Sequence, residues 1–207
     1  MKIIALTGGI AAGKTTVAKL FRECGAALID ADVLARAAVA EGTPGHVAVL
    51  AEFGADIIGA DGELDRRKLG TVVFASAAKR RALEAIVHPE VKRLFALRAA
   101  ELKQREVPVC VYEIPLLVES GQQHNFDGVV VVVADKETRL RRLIIERGLS
   151  AEMAAQRLAA QVSDEARIAI ANWVVPTDVN IAQTRQQVQQ IWQQITAAPY
   201  MSARGVN

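Results

Sequence analysis

An α/β fold built on a doubly wound parallel sheet is the architecture this sequence predicts. Three observations carry it. Unbroken apolar runs recur at Ile3–Leu6, Ala27–Ile29, Val107–Tyr112, Val129–Ala134 and Trp173–Val175; runs without alternation suit strands covered on both faces. Helical patterns lie between the runs, the order of a sheet joined by crossover helices. A glycine-rich stretch links the first run to the first helix, at the strand end where open α/β sheets take their ligands.

The chain has 207 residues, enough for one α/β domain with smaller helical insertions. Hydrophobic residues make up 51 % and aromatics only 4 %, so the core must rest on Ala, Val, Leu and Ile. A net charge of +2 gives no global argument for nucleic acid. Seventeen arginines against eight lysines fit phosphate chemistry, because the guanidinium fork matches phosphate geometry. Cys24 and Cys110 form no C-x-x-C and read as reduced thiols. The N-terminus could pass for a short signal peptide, but its apolar part stops at Thr7 and Lys14 belongs to a better-explained motif. No apolar run approaches the ~20 residues that span a bilayer. The expectation is a soluble, cytoplasmic protein with no membrane or nucleic-acid partner. The oligomeric state leaves no signal.

The whole chain, 1–207, reads as a single domain carrying two specialised segments. Residues from about 60 to 104 exceed a minimal crossover. They begin with a turn at Ala60-Asp61-Gly62 and continue through helical stretches, Ala77–Val87 and Glu90–Arg105, divided by His88-Pro89. This segment is expected to be a helical substrate-binding subdomain. Residues from Lys136 to about Arg167 are helical and rich in arginine; Gly148 breaks the pattern and Ser150 can cap the helix that follows. That segment is expected to be a mobile lid. Near the C-terminus, Ile181, Val188, Ile191, Trp192 and Ile195 form a helical stripe that packs on the core. Trp192 reads as core rather than cofactor contact, and Pro199 to Asn207 as a loose tail.

Gly8-Gly9-Ile10-Ala11-Ala12-Gly13-Lys14-Thr15 fits G-x-x-x-x-G-K-[ST] without a gap, directly after a strand and opening a helix over Lys14 to about Glu23. Glycines let successive N–H groups turn inward on phosphate oxygens, and the helix N-terminus adds its dipole. Lys14 should reach the β- and γ-phosphates, and the Thr15 hydroxyl should ligate Mg²⁺. A chance match in an incidental turn is on the order of one chain in a hundred at background glycine usage.

Three further features allow two readings each. Asp30 and Asp32 follow the second strand; one of them can accept a proton from an attacking hydroxyl, or both can serve a helix N-terminus, with capping favoured for Asp30. Glu113, after the third strand, resembles a carboxylate holding Mg²⁺ directly or through water, or is a solvated strand end. Arg139, Arg141, Arg142 and Arg147 crowd one helix. At ~100° per residue Arg139, Arg142 and Glu146 share a face, whereas Arg142 and Arg147 point ~140° apart. Arg142 can neutralise a transferring phosphoryl group from a closing lid, or can pair weakly with Glu146. His88, before a proline, reads first as a turn or packing residue.

Taken together these segments resemble the dephospho-CoA kinases, from Lys2 to about Ala171. The likeness lies in Ala5-Leu6-Thr7-Gly8-Gly9-Ile10 with Gly13-Lys14, in Ile29-Asp30-Ala31-Asp32, and in Asp61-Gly62-Glu63-Leu64-Asp65-Arg66. It continues in His88-Pro89, Pro115-Leu116-Leu117-Val118-Glu119, Thr138 with Arg142, and Arg157 with Gln161. The resemblance implies a P-loop kinase core and transfer of the ATP γ-phosphate to the ribose 3′-hydroxyl of dephospho-CoA, with Mg²⁺. It implies Asp32 as base, Lys14 and Arg142 as catalytic cations, and His88, Pro115 and Leu116 on the substrate. The nucleotide would meet Gly9, Ala11, Ala12, Gly13, Lys14, Thr15 and Thr16, with Arg142 and Arg147 from the lid; Thr15 and Glu113 would serve the metal.

The chain departs from the family in three places. Ala11-Ala12 stands where Gly-Ser is usual, and a position often Gly can require particular backbone angles. A second arginine usually lies four residues after the one matching Arg142; here Glu146 holds that place and Arg147 is one step later. The family's Ala-Asp and downstream Asn-Gly pattern appears as Ala171-Asn172 and Pro176-Thr177-Asp178, in a region expected near the adenine. Two other functions remain open: another small-molecule P-loop kinase acting on a nucleoside, nucleotide or shikimate, and a nucleotide-dependent switch. No Asn-Lys-x-Asp guanine motif is present.

Overall fold

The structure, a computed structural model, describes residues 1–59, 62–121 and 123–197. Ala60 and Asp61 of the expected turn, and the expected tail from Pro199, lie outside the described residues. Two compact units emerge, one of Met1–Ile29 with Leu102–Asn207 and one of Asp30–Glu101.

The first unit holds an all-parallel five-stranded sheet in the order β2-β3-β1-β4-β5. The strands are β1 (Lys2–Gly8), β2 (Ala27–Asp30), β3 (Val109–Glu113), β4 (Gly128–Val133) and β5 (Trp173–Pro176). Each coincides with one of the apolar runs. β1 lies at the centre, with Leu6 opposite Glu113 of β3 and Gly8 opposite Val132 of β4. Alternate residues of β1 serve opposite faces. Ile4 and Leu6 join Val111, Val130 and Val132 beneath α1 (Lys14–Glu23), while Ala5 meets Val129, Val131 and the fully buried Leu117. A core of Val, Ile, Leu and Ala follows from the composition, with Phe21 the one phenylalanine at its centre.

The second unit is helical, with α2 (Ala31–Ala38), α3 (Pro44–Phe53), α4 (Arg66–Ala75) and α5 (Ala77–Gln104), the last running three residues past its boundary. It has its own apolar cluster, Val49, Ile57, Leu64 and Leu69, joined by Leu83, Ile86, Val87, Val91 and Leu94 of α5. His88-Pro89 does not divide two helices as expected; α5 runs through it. Pro89 removes one helical N–H and costs about 3 kcal/mol in a helix interior. The stripe from Leu83 to Leu94 packs on one cluster on both sides of the proline, and that burial outweighs the penalty.

After β3 the first unit continues with α6 (Leu117–Ser120), α7 (Lys136–Arg141), α8 (Ala151–Ala159), α9 (Asp164–Ile168) and α10 (Ile181–Ala197). Ser150 caps α8 as expected, accepting from the Met153 N–H at 3.2 Å. Along α10 the buried stripe is Thr184, Val188, Ile191 and Ile195, and Trp192 packs against the same core. Ile181 departs from the expected stripe: it is 55 % exposed, one turn before the buried face begins.

Candidate active site

β1 delivers the glycine-rich loop to the carboxyl edge of the sheet, between β3 and β4. Gly13 takes φ 93°, a left-handed angle that side chains resist, and opens α1. Ala11 takes φ 59°, the same region with a methyl group present. Ala11 is therefore a strained alanine, at about 1–2 kcal/mol.

The loop wraps one wall of a cavity of about 420 Å³. Gly9, Ala11, Ala12, Gly13, Lys14, Thr15 and Thr16 line it, and so do Arg142 and Arg147. The walls are completed by Glu146 and by Thr177, Val179, Ile181 and Thr184 from the β5–α10 region. Three cationic side chains against one carboxylate make the interior positive, and the N-terminus of α1 points its orphan N–H groups into it. Lys14 Nζ donates to the Gly8 carbonyl at 2.9 Å, which holds the ammonium across the mouth of the loop.

Three successive loop carbonyls are each bound by a side chain distant in sequence. The Ile10 oxygen accepts from Arg139 Nε at 3.0 Å, the Ala11 oxygen from Arg142 Nη1 at 3.0 Å, and the Ala12 oxygen from Thr177 Oγ1 at 2.6 Å. Arg142 also donates to Thr177, through Nη1 to Oγ1 at 3.0 Å and through Nη2 to the carbonyl at 2.6 Å. Arg142 forms no ion pair with Glu146 among the described residues; it reaches the loop instead. The wheel arithmetic fails there because Arg142–Glu146 is π-helical. Its i→i+5 winding slips one residue relative to an α-helix. Arg142 and Arg147 accordingly line the same cavity, where a regular helix would turn them apart.

α7 starts firmly. Asp135 accepts from the Thr138 N–H at 2.6 Å, and that bond, followed by the Thr138 hydroxyl, holds its carboxyl below the usual aspartate range. Burial pushes the Cys110 thiol in β3 up to about 12, and burial also raises Cys24. Neither thiol has the lowered value of a nucleophile.

Glu113 ends β3, half-buried, and does not line the cavity. Pro115 stands two residues on, its carbonyl accepting from the Thr7 hydroxyl at 3.4 Å, and Leu116 is exposed. Asp30 caps α2, accepting from the Asp32 and Val33 N–H groups at 2.7 and 3.3 Å. Asp32 sits exposed in the first turn of α2, and its carboxylate has no hydrogen bond or ion pair among the described residues. His88 and Pro89 are exposed on α5. Asp32 and His88 belong to the second unit. Among the described residues no cluster of three His, Cys, Asp or Glu could hold a metal ion. A magnesium ion here would need the Thr15 hydroxyl, phosphate oxygens and water, the mixed shell this ion favours.

Sheet order, loop and cavity define a P-loop kinase fold. The sequence model for dephospho-CoA kinase matches residues 2–183. A dephospho-CoA kinase from Geobacter sulfurreducens is 44 % identical over 192 residues, covering 93 % of this chain and 98 % of the relative. A crystal structure from Thermus thermophilus superimposes with a TM-score of 0.83 at 36 % identity, covering 93 % of this chain and 96 % of the other. A dephospho-CoA kinase from Campylobacter jejuni gives 0.70 at 27 % identity, with 94 % and 97 % covered. This chain belongs to the dephospho-CoA kinase family.

Proposed function

We propose that the chain transfers the γ-phosphoryl group of ATP to the ribose 3′-hydroxyl of dephospho-CoA, giving coenzyme A and ADP. The observation that carries the donor half is the positive cavity lined by the loop and by Arg142 and Arg147. Family membership carries the acceptor half.

The acceptor oxygen attacks the γ-phosphorus in line, the bond to the β–γ bridging oxygen breaks, and ADP leaves. Asp32 takes the hydroxyl proton; an exposed carboxylate with no competing partner is available for it. Lys14 neutralises the β- and γ-phosphates, and the N–H groups of the loop cradle them. Arg142, held by the Ala11 and Thr177 carbonyls, keeps its Nε–H for the migrating phosphoryl group. Arg147 supplies the second lid cation, brought to the cavity by the π-helical turn. Mg²⁺, held by Thr15 and by Glu113 through water, would neutralise charge on the phosphate oxygens.

Acceptor binding falls to the unit Asp30–Glu101, which takes in His88. The segment 136–167 acts as the lid. The inferred setting is the cytoplasm; among the described residues no helix is long and apolar enough to cross a membrane. An acceptor panel tests the assignment. kcat/KM for dephospho-CoA should exceed that for adenosine, AMP and shikimate by about a hundredfold or more, because remote contacts orient the reacting hydroxyl. A better value for any of the three would leave a kinase with a different substrate.

A further inference from the structure

Both peptide units flanking Ile10 are tied to the helical segment after β4 by side chains that do not line the cavity. The Ile10 N–H donates to Gln161 Oε1 at 2.7 Å, and the Ile10 carbonyl accepts from Arg139 Nε at 3.0 Å. Arg139 Nη1 in turn donates to both carboxylate oxygens of Asp164, at 3.2 and 3.0 Å, and Nη2 reaches Gln161 Oε1 at 3.4 Å. Arg139 is 7 % exposed. A charge so deeply buried is tolerated only when paired and hydrogen-bonded, and the loop carbonyl is one of its partners.

Gly9 fits the same arrangement. It does not adopt a left-handed φ, and the G-x-x-x-x-G-K-[ST] pattern does not require glycine there. A Cβ at this position would overlap the Arg139 guanidinium, so Gly9 is the space in which that group sits. The consequence reaches the cavity through peptide geometry. In a trans peptide the carbonyl and the following N–H point in opposite directions. With the Ile10 oxygen held by Arg139, the Ala11 N–H faces away from it, and Ala11 lines the cavity.

We propose that Gln161, Arg139 and Asp164, seated against Gly9, are positioning residues for the nucleotide loop. They fix the peptide units around Ile10 and thereby make donor affinity depend on the helical segment. The inference rests on the reading of the loop as the nucleotide site.

The test uses the full chain and its Lys14→Ala, Gln161→Leu, Gln161→Glu, Gly9→Ala and Asp164→Asn variants. ATP affinity is measured by calorimetry, kcat and the KM of each substrate by steady-state kinetics, and folding by thermal melts. Gln161→Leu and Gly9→Ala should each weaken ATP binding about tenfold, the scale of one or two lost hydrogen bonds. The KM for dephospho-CoA should stay within about twofold of the parent value. Gln161→Glu keeps an oxygen for Ile10 and Arg139 and should recover most of the affinity. The Gly9→Ala/Gln161→Leu pair should lose less than the product of the single losses, because both act on one network. If Gln161→Leu proves unstable, Asp164→Asn makes the same comparison through Arg139. Wild-type ATP affinity in folded Gln161→Leu or Gly9→Ala would overturn the proposal. So would an equal rise in both KM values, or a lowered Tm with unchanged affinity. These outcomes beside an inactive Lys14→Ala would leave the nucleotide-site reading standing; a fully active Lys14→Ala would remove that reading and the inference with it.

Discussion

Asp32 separates two roles that its position allows. If it only serves the helix N-terminus, Asp32→Asn keeps size and polarity and leaves the enzyme nearly intact. As the base, it should lower kcat by ~10²–10⁴-fold with little change in ATP affinity. A loss below about tenfold would move the search for the base to Glu113. Ala11 is a second residue-scale case. Its φ of 59° should relax on Ala11→Gly, raising the unfolding free energy by about 1 kcal/mol in urea titrations. A destabilised variant would show that the bonds to the Ile10, Ala11 and Ala12 carbonyls absorb the strain. Legibility at this scale follows the range of the interaction. The Asp30 cap and the phosphate loop are read from nearby residues, because their partners are two to six positions away. Arg139 and Thr177 are not legible, because their partners are backbone carbonyls 129 and 165 positions distant. Backbone oxygens carry no residue identity for a pattern to register.

Elements were legible where periodicity decides them. All five strands and α1 fall on the expected runs; in β1, β3 and β4 burial on both faces leaves nothing polar to blur a strand. The break expected at Pro89 is absent from α5 because proline is a local signal and the cluster that carries the helix through it is tertiary. Pro89→Ala restores an N–H for the Ala85 carbonyl and should stabilise the chain by about 1–3 kcal/mol. A matching fall in kcat/KM for dephospho-CoA alone would tie the exposed His88-Pro89 pair to the acceptor. The π-helical turn at Arg142–Glu146 was equally invisible, yet it brings the arginine that stands one step late to the cavity wall. Arg147→Ala should reduce kcat/KM without lowering Tm, and Glu146→Ala should be neutral or mildly activating, since Glu146 sets a negative charge in a cavity for an anion. Kinetics of Arg147→Ala indistinguishable from wild type would leave Arg142 to neutralise the phosphoryl group without it.

At the scale of the molecule, chemistry is divided between two compact units. The first carries the sheet, the loop and the cationic cavity; the second carries Asp32, His88 and an apolar cluster of its own. A helical unit of that size exceeds what a nucleoside acceptor needs, and remote binding energy is most useful when it fixes the reacting hydroxyl. The central claim is therefore a claim about a product. Mass spectrometry with phosphorus NMR, after incubation with Mg-ATP and dephospho-CoA, tests it most directly. The account predicts coenzyme A carrying one added phosphoryl group on the ribose 3′-oxygen, formed in step with ADP and absent with Lys14→Ala. ADP released without a phosphorylated acceptor, or a phosphoryl group on any other atom of dephospho-CoA, would contradict it.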